Sequence, residues 1–182
     1  MTPPRNKAFT IIELITVIAI GAVLMSMVLP LAQGARRQYL IADTKARFHR
    51  YTLAIEQFRA EYGAYPTLDG NPLTVASSPI DVNAFAECFV ELMTGNAVGG
   101  GAMSNTTAEG QNTKALSFLH FNNNELTAEG KLQDSFGQTN IQLFYDTDGN
   151  GFLDGLSNVR GSVGWRSNGN GNGGGEIITS WQ

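Results

Sequence analysis

The run Asp146-Thr147-Asp148-Gly149-Asn150-Gly151-Phe152-Leu153-Asp154 places side-chain oxygens at its first, third, fifth and ninth positions, on Asp146, Asp148, Asn150 and Asp154. Hard oxygen ligands at alternate positions suit a hard cation, and a glycine at the sixth position, Gly151, permits the sharp turn that brings them onto one ion. The seventh residue, Phe152, offers its backbone carbonyl. This matches the first nine positions of a calcium loop, so calcium in a structural role is the expected cofactor. Ser157 stands at the twelfth position, where a complete loop has a bidentate glutamate, so one ligand must come from water or from elsewhere. The competing reading is a bare Asx/Gly turn whose acids are merely solvated.

A second acid stands by itself. Glu13 interrupts an apolar run from Phe9 to Ala32, preceded by a short leader bearing Arg5 and Lys7. About 20 apolar residues suffice to cross a bilayer. A carboxylate within such a span costs about 2.5–3.5 kcal/mol on insertion scales, so a segment that only anchored the chain has little reason to carry one. A functional partner for Glu13 is therefore expected. An ordinary secretory signal fits poorly, since its apolar centre is shorter and is lost on maturation.

Little else in the chain could do chemistry. His49 and His120 have no nucleophile motif beside them, Gly99-Gly100-Gly101 lacks the Lys-Ser/Thr of a phosphate loop, and the one cysteine, Cys88, excludes an internal disulfide. The expectation is a protein that is not an enzyme. With 182 residues, 42% hydrophobic and 15% charged, the chain has room for one modest domain beyond the apolar run. Charge is uneven: thirteen acids face four bases from Ala60 onward, against three acids and eight bases before it. An acidic half argues against a nucleic-acid surface and is compatible with cation binding.

The elements that position these residues follow from spacing. Ile41, Thr44, Phe48, Tyr51, Ile55, Phe58 and Tyr62 recur at intervals of three and four, one apolar stripe on a helix. Continuous from Phe9 to Tyr62, that helix would be about 80 Å long, with Pro30 and Gly34 as candidate kinks and Gly63 and Pro66 ending it. A second helix is expected over Asp81–Thr94, a loose polar loop over Gly95–Thr113, and strands over Ile141–Tyr145, Gly161–Trp165 and Glu176–Trp181.

The segment Lys7-Ala8-Phe9-Thr10-Ile11-Ile12-Glu13-Leu14-Ile15, with Pro30 beyond, resembles the signal of type IV pilins and type II secretion pseudopilins. Glu61-Tyr62-Gly63-Ala64-Tyr65-Pro66, a degenerate Asp134-Ser135-Phe136-Gly137 turn and the Ser180-Trp181 ending resemble the major pseudopilin of type II secretion. The resemblance implies cutting by prepilin peptidase between Ala8 and Phe9, methylation of the new amine, and an assembly role for Glu13, which would neutralise the Phe9 amine of a neighbouring copy. It also implies an α+β, pilin-like lollipop: a long N-terminal helix whose first half spans the membrane, packed on a small C-terminal antiparallel sheet.

The parts so implied are a leader, 1–8; a transmembrane and assembly half-helix, 9–32; a head-packed half, 33–66; and a periplasmic head, 67–182. Basic residues flank the span on both sides, with more of them after it, and counting alone favours the opposite topology. The resemblance implies a cytoplasmic N-terminus, residence in the bacterial inner membrane, and a periplasmic filament built from copies of the chain with other pseudopilins and an inner-membrane assembly platform. It also points to a second, weaker cation candidate in the loop 168–176, where Glu176 is the acid. The readings that stay open are a major or minor type IV pilin, serving adhesion, motility or DNA uptake, and an anchored exported enzyme or ligand-binding protein.

Overall fold

The computed structural model describes residues 9–70, 79–169 and 177–181, with the backbone alone at 28–32. The chain divides between Tyr39 and Leu40 into two units. Helix α1, Ile11–Tyr62, contributes to both. In the first unit its side chains from Ile11 to Met27 are exposed, and Phe9 just ahead of it is 80% exposed. Among the described residues, no helix is long and apolar enough to cross a membrane. Thr16 and Ser26 donate their hydroxyls to the carbonyls of Ile12 and Val23 within the helix.

The second unit carries β1 (Ile80–Asp81), a 3-10 turn (Val82–Phe85), α2 (Ala86–Thr94), α3 (Thr106–Gln111), β2 (Ile141–Tyr145), β3 (Val163–Ser167) and β4 (Ile178–Thr179). The four strands form one antiparallel sheet in the order β1-β2-β3-β4. Side chains alternate across a strand, so Ile141, Leu143 and Tyr145 of β2 and Val163 and Trp165 of β3 face the main core, with Leu143 opposite Trp165. The expected apolar stripe of α1 closes that core: Phe48, Tyr51, Ile55 and Phe58 are buried, as is Thr44, whose hydroxyl bonds the Leu40 carbonyl.

Trp165 is where helix and sheet meet. Phe48 stacks on its ring at 5.8 Å, Tyr51 and Phe89 meet it edge-on at 5.4 and 5.7 Å, and its indole N–H donates to Thr52 Oγ1 at 3.2 Å. Aromatic pairs of this kind contribute about 0.5–1.5 kcal/mol each beyond area burial. Polar ties supplement them: Glu125, fully buried, accepts from Arg50, the Tyr51 hydroxyl and Asn122 Nδ2.

Several boundaries differ from expectation. Helix α1 starts at Ile11 because Thr10 caps it. Over 81–94, Asp81 pairs with Gln142 in the sheet and caps the 3-10 turn through Asn83 N–H, so the α-helix begins only at Ala86; Cys88, Phe89 and Leu92 are buried, while Phe85 is left partly exposed. Gly95 ends α2 at φ 69°, and a Cβ there would lie 2.5 Å from the Ala115 carbonyl, so only glycine fits. The stretch 95–113 contains α3 and is anchored by a buried carboxylate. Glu91 accepts from Ser104 N–H, Ser104 Oγ and Asn105 N–H, each at 2.8 Å. Strand β3 is offset by two residues from the expected Gly161–Trp165. The Asp134 turn forms without proline or tryptophan, since Asp134 Oδ1 takes the N–H of Phe136 and Gln138 at 2.8 Å while Oδ2 takes the Ser167 hydroxyl.

Trp165→Ala removes all three ring contacts at once and is expected to cost about 3–5 kcal/mol, measured as a lower denaturant midpoint at unchanged slope. Glu91→Ala removes the buried charged acceptor that the Ser104 and Asn105 N–H groups share. It should cost about 1–3 kcal/mol and speed amide exchange selectively over 99–111.

Candidate functional site

The acidic run lies at the start of the β2–β3 connection. Its stem is held by Asp146 N–H to the Ser162 carbonyl at 2.9 Å and Asp154 N–H to the Tyr145 carbonyl at 2.8 Å. Inside, the buried Asp146 organises the turn: Oδ1 accepts from Gly149 and Asn150 N–H at 2.9 and 3.1 Å, and Oδ2 from Gly151 N–H at 2.9 Å. Asp148 accepts from Asn150 N–H at 3.0 Å and its side-chain amide at 2.7 Å, and Asp154 from the N–H and hydroxyl of Thr147. Gly151 sits at φ 83°, the left-handed conformation the turn needs.

Carboxylate oxygens of Asp146, Asp148 and Asp154 all lie within 4.8 Å of one another. Ligand oxygens about 2.3–2.6 Å from a calcium ion can be separated by up to about 5 Å, so the three fit one ion. Asn150 Oδ1 accepts from Phe152 N–H at 2.7 Å and keeps a second lone pair. Phe152 bridges Arg160, flanked by Gly161 N–H to the Gly151 carbonyl and Leu153 N–H to the Val159 carbonyl. In that antiparallel arrangement the N–H and C=O of Phe152 point away from Arg160, to the side where its N–H meets Asn150. Five of the expected ligand residues thus share one turn. Glu176 lies outside the described residues.

At the other end of the chain, Ala8 also lies outside the described residues, while Phe9 and Glu13 are exposed. Glu13 Oε2 accepts from Thr10 N–H at 2.8 Å and Thr10 Oγ1 at 2.7 Å, and Thr10 Oγ1 accepts from Glu13 N–H at 3.3 Å. This is a capping box, two orphan helix donors satisfied reciprocally. The signal for Thr10 in the sequence is the Thr10-x-x-Glu13 spacing, the signature of such a box.

A hollow of about 310 Å³ lies in the middle region, lined by residues including Asp69, Glu87, Cys88 and Thr107. Burial, and then the carboxylates of Glu91, Asp69 and Glu87, push the Cys88 thiol up to about 12. It is a neutral thiol at physiological pH, and the thiolate is the nucleophilic form.

Residues 3–29 match the prokaryotic N-terminal methylation motif. The chain is 35% identical over 66 residues to prepilin peptidase-dependent protein D of Escherichia coli (strain K12), a region that is 36% of this chain and 45% of that protein, so the match spans less than half the relative's length. No solved structure is a significant match.

Asp146→Ala strips the acceptor from the Gly149 and Gly151 N–H groups and one of two acceptors from Asn150 N–H, and is expected to destabilise the hairpin by about 1–3 kcal/mol even in chelator. Thermal melting of the variant and the parent, both in EDTA, measures it; identical melts would remove the organising role of Asp146.

Proposed function

We propose that this chain, a member of the type IV pilin and pseudopilin family by its N-terminal motif and its relative, is a structural subunit of a type II secretion pseudopilus and not an enzyme. The observation that carries the proposal is the exposed apolar helix surface from Phe9 to Met27 with one carboxylate, Glu13, in its first turn, inside the methylation motif. In this reading prepilin peptidase cuts between Ala8 and Phe9, the chain stands in the bacterial inner membrane with its N-terminus cytoplasmic and its C-terminal unit periplasmic, and copies assemble with other pseudopilins on an inner-membrane platform. Glu13 then neutralises the Phe9 amine of a neighbour, a pair far stronger in apolar surroundings than in water.

Calcium belongs to the same proposal. The Asp146, Asp148 and Asp154 carboxylates, the Asn150 side-chain oxygen and the Phe152 carbonyl would hold the ion, which supplies positive charge to an acidic turn in a unit without disulfides. A ligand that binds only the folded state stabilises it by about 2.7 kcal/mol at a hundred times its dissociation constant.

Intact mass and N-terminal sequence of the protein from its host membrane test processing: a chain beginning at a methylated Phe9 is expected, and one beginning at Met1 or beyond the apolar run overturns the filament reading. Glu13→Ala should leave processing intact and abolish filaments seen by electron microscopy. Deleting the gene should stop protein export; loss of surface pili with export intact would instead assign the chain to a type IV pilus. Calcium should raise the melting temperature, and Asp148→Asn should blunt that rise.

A further inference from the structure

The sheet has a second, smaller core on the face opposite α1. Phe144 and Leu153 are 1% and 2% exposed yet stand outside the main core. Phe144 lies directly across from Gly164 in the β2–β3 pairing. A Cβ on Gly164 would collide with the Leu153 side chain and come within 2.9 Å of the Trp181 ring, so both side chains rest against the bare glycine backbone. Trp181 also meets Phe144 edge-on, with ring centroids 5.6 Å apart and planes at 87°. The small core therefore gathers three parts of the chain: the strand pair, the acidic loop through Leu153, and the C-terminal end through Trp181.

Leu153 stands between Phe152 and Asp154, and its N–H bonds the Val159 carbonyl at 2.8 Å. Its seat on Gly164 thus fixes the closing side of the acidic turn. We propose that Trp181 is a clasp that orders the 146–154 loop by holding Leu153 against Gly164, and that it thereby sets the loop's affinity for a cation. The second half of this proposal rests on the calcium reading above; the first does not. Coupling free energies are reciprocal, so whatever order the clasp gives the loop, an ion in the loop gives back to the C-terminal end.

Hydrogen exchange on the full chain in detergent with EDTA tests the clasp. In Trp181→Ala the amides of Gly149, Gly151 and Leu153 should exchange about fivefold or more faster, a coupling at the lower end of the usual range, while the amide of Leu143 in the main core stays unchanged. Leu153→Ala should do the same, and the double variant should go little further, because both remove one contact. Equal loop exchange in Trp181→Ala and the parent overturns the clasp, as does a loss of protection spread equally over Leu143. Gly164→Ala, which displaces both side chains without shortening either, gives an independent variant and should reproduce the loop-specific change. Titration with calcium chloride then separates the two readings. Weaker binding in Trp181→Ala than in the parent supports the link, equal binding overturns it, and no binding by the parent overturns the calcium reading while the exchange comparison still decides the clasp.

Discussion

The second unit depends on one indole. Trp165 sits at the middle of the sheet and touches α1 through Phe48 and Tyr51 and α2 through Phe89. Three elements distant in sequence share this contact, so the amphipathic half of α1, the sheet and α2 cannot be buried independently. The stripe from Ile41 to Tyr62 needs a covering surface, and the sheet supplies part of it through Trp165, while Phe118 covers Phe58 and Tyr62 at the far end.

In a unit whose only cysteine is buried and unpaired, buried carboxylates fasten the loops. Glu91 holds the 104–105 segment, Asp134 holds its own turn and reaches β3, Glu125 ties its segment to Arg50 and Tyr51, and Asp146 holds the hairpin turn. An ionised carboxylate accepting several hydrogen bonds is well satisfied out of water, whereas one left bare is very costly. Each acid therefore ties its loop through several donors at once. The acidic composition of this half of the chain is in part a composition of fasteners.

What was legible in the sequence was local. The three- and four-residue spacing of Phe48, Tyr51, Ile55 and Phe58 gave the buried face of α1, and the alternation of Asp146, Asp148 and Asn150 gave the turn that gathers them, since both patterns depend on neighbours a few residues apart. The box formed by Thr10 and Glu13 is equally local, its signature being the Thr10-x-x-Glu13 spacing. What was not legible depends on partners far along the chain. Glu91 orders a stretch that composition marks as loose, Asp81 is drawn out of a helix by pairing with Gln142, and Leu153 is buried by Gly164 and Trp181. No window of sequence contains both halves of those contacts.

Over residues 11–27 the exposed helix carries few polar groups. Thr16 and Ser26 turn their hydroxyls back onto the helix, and Thr10 is engaged with Glu13. The rest of that surface is clad in Ile, Leu, Val and Met with Ala19, Gly21 and Ala22 among them, and the apolar burial it offers is non-directional. From Phe9 to Met27 Glu13 is the only ionisable side chain. In the assembly proposed above, it is the single index mark on an otherwise unruled scale, against which a neighbouring helix would set its register.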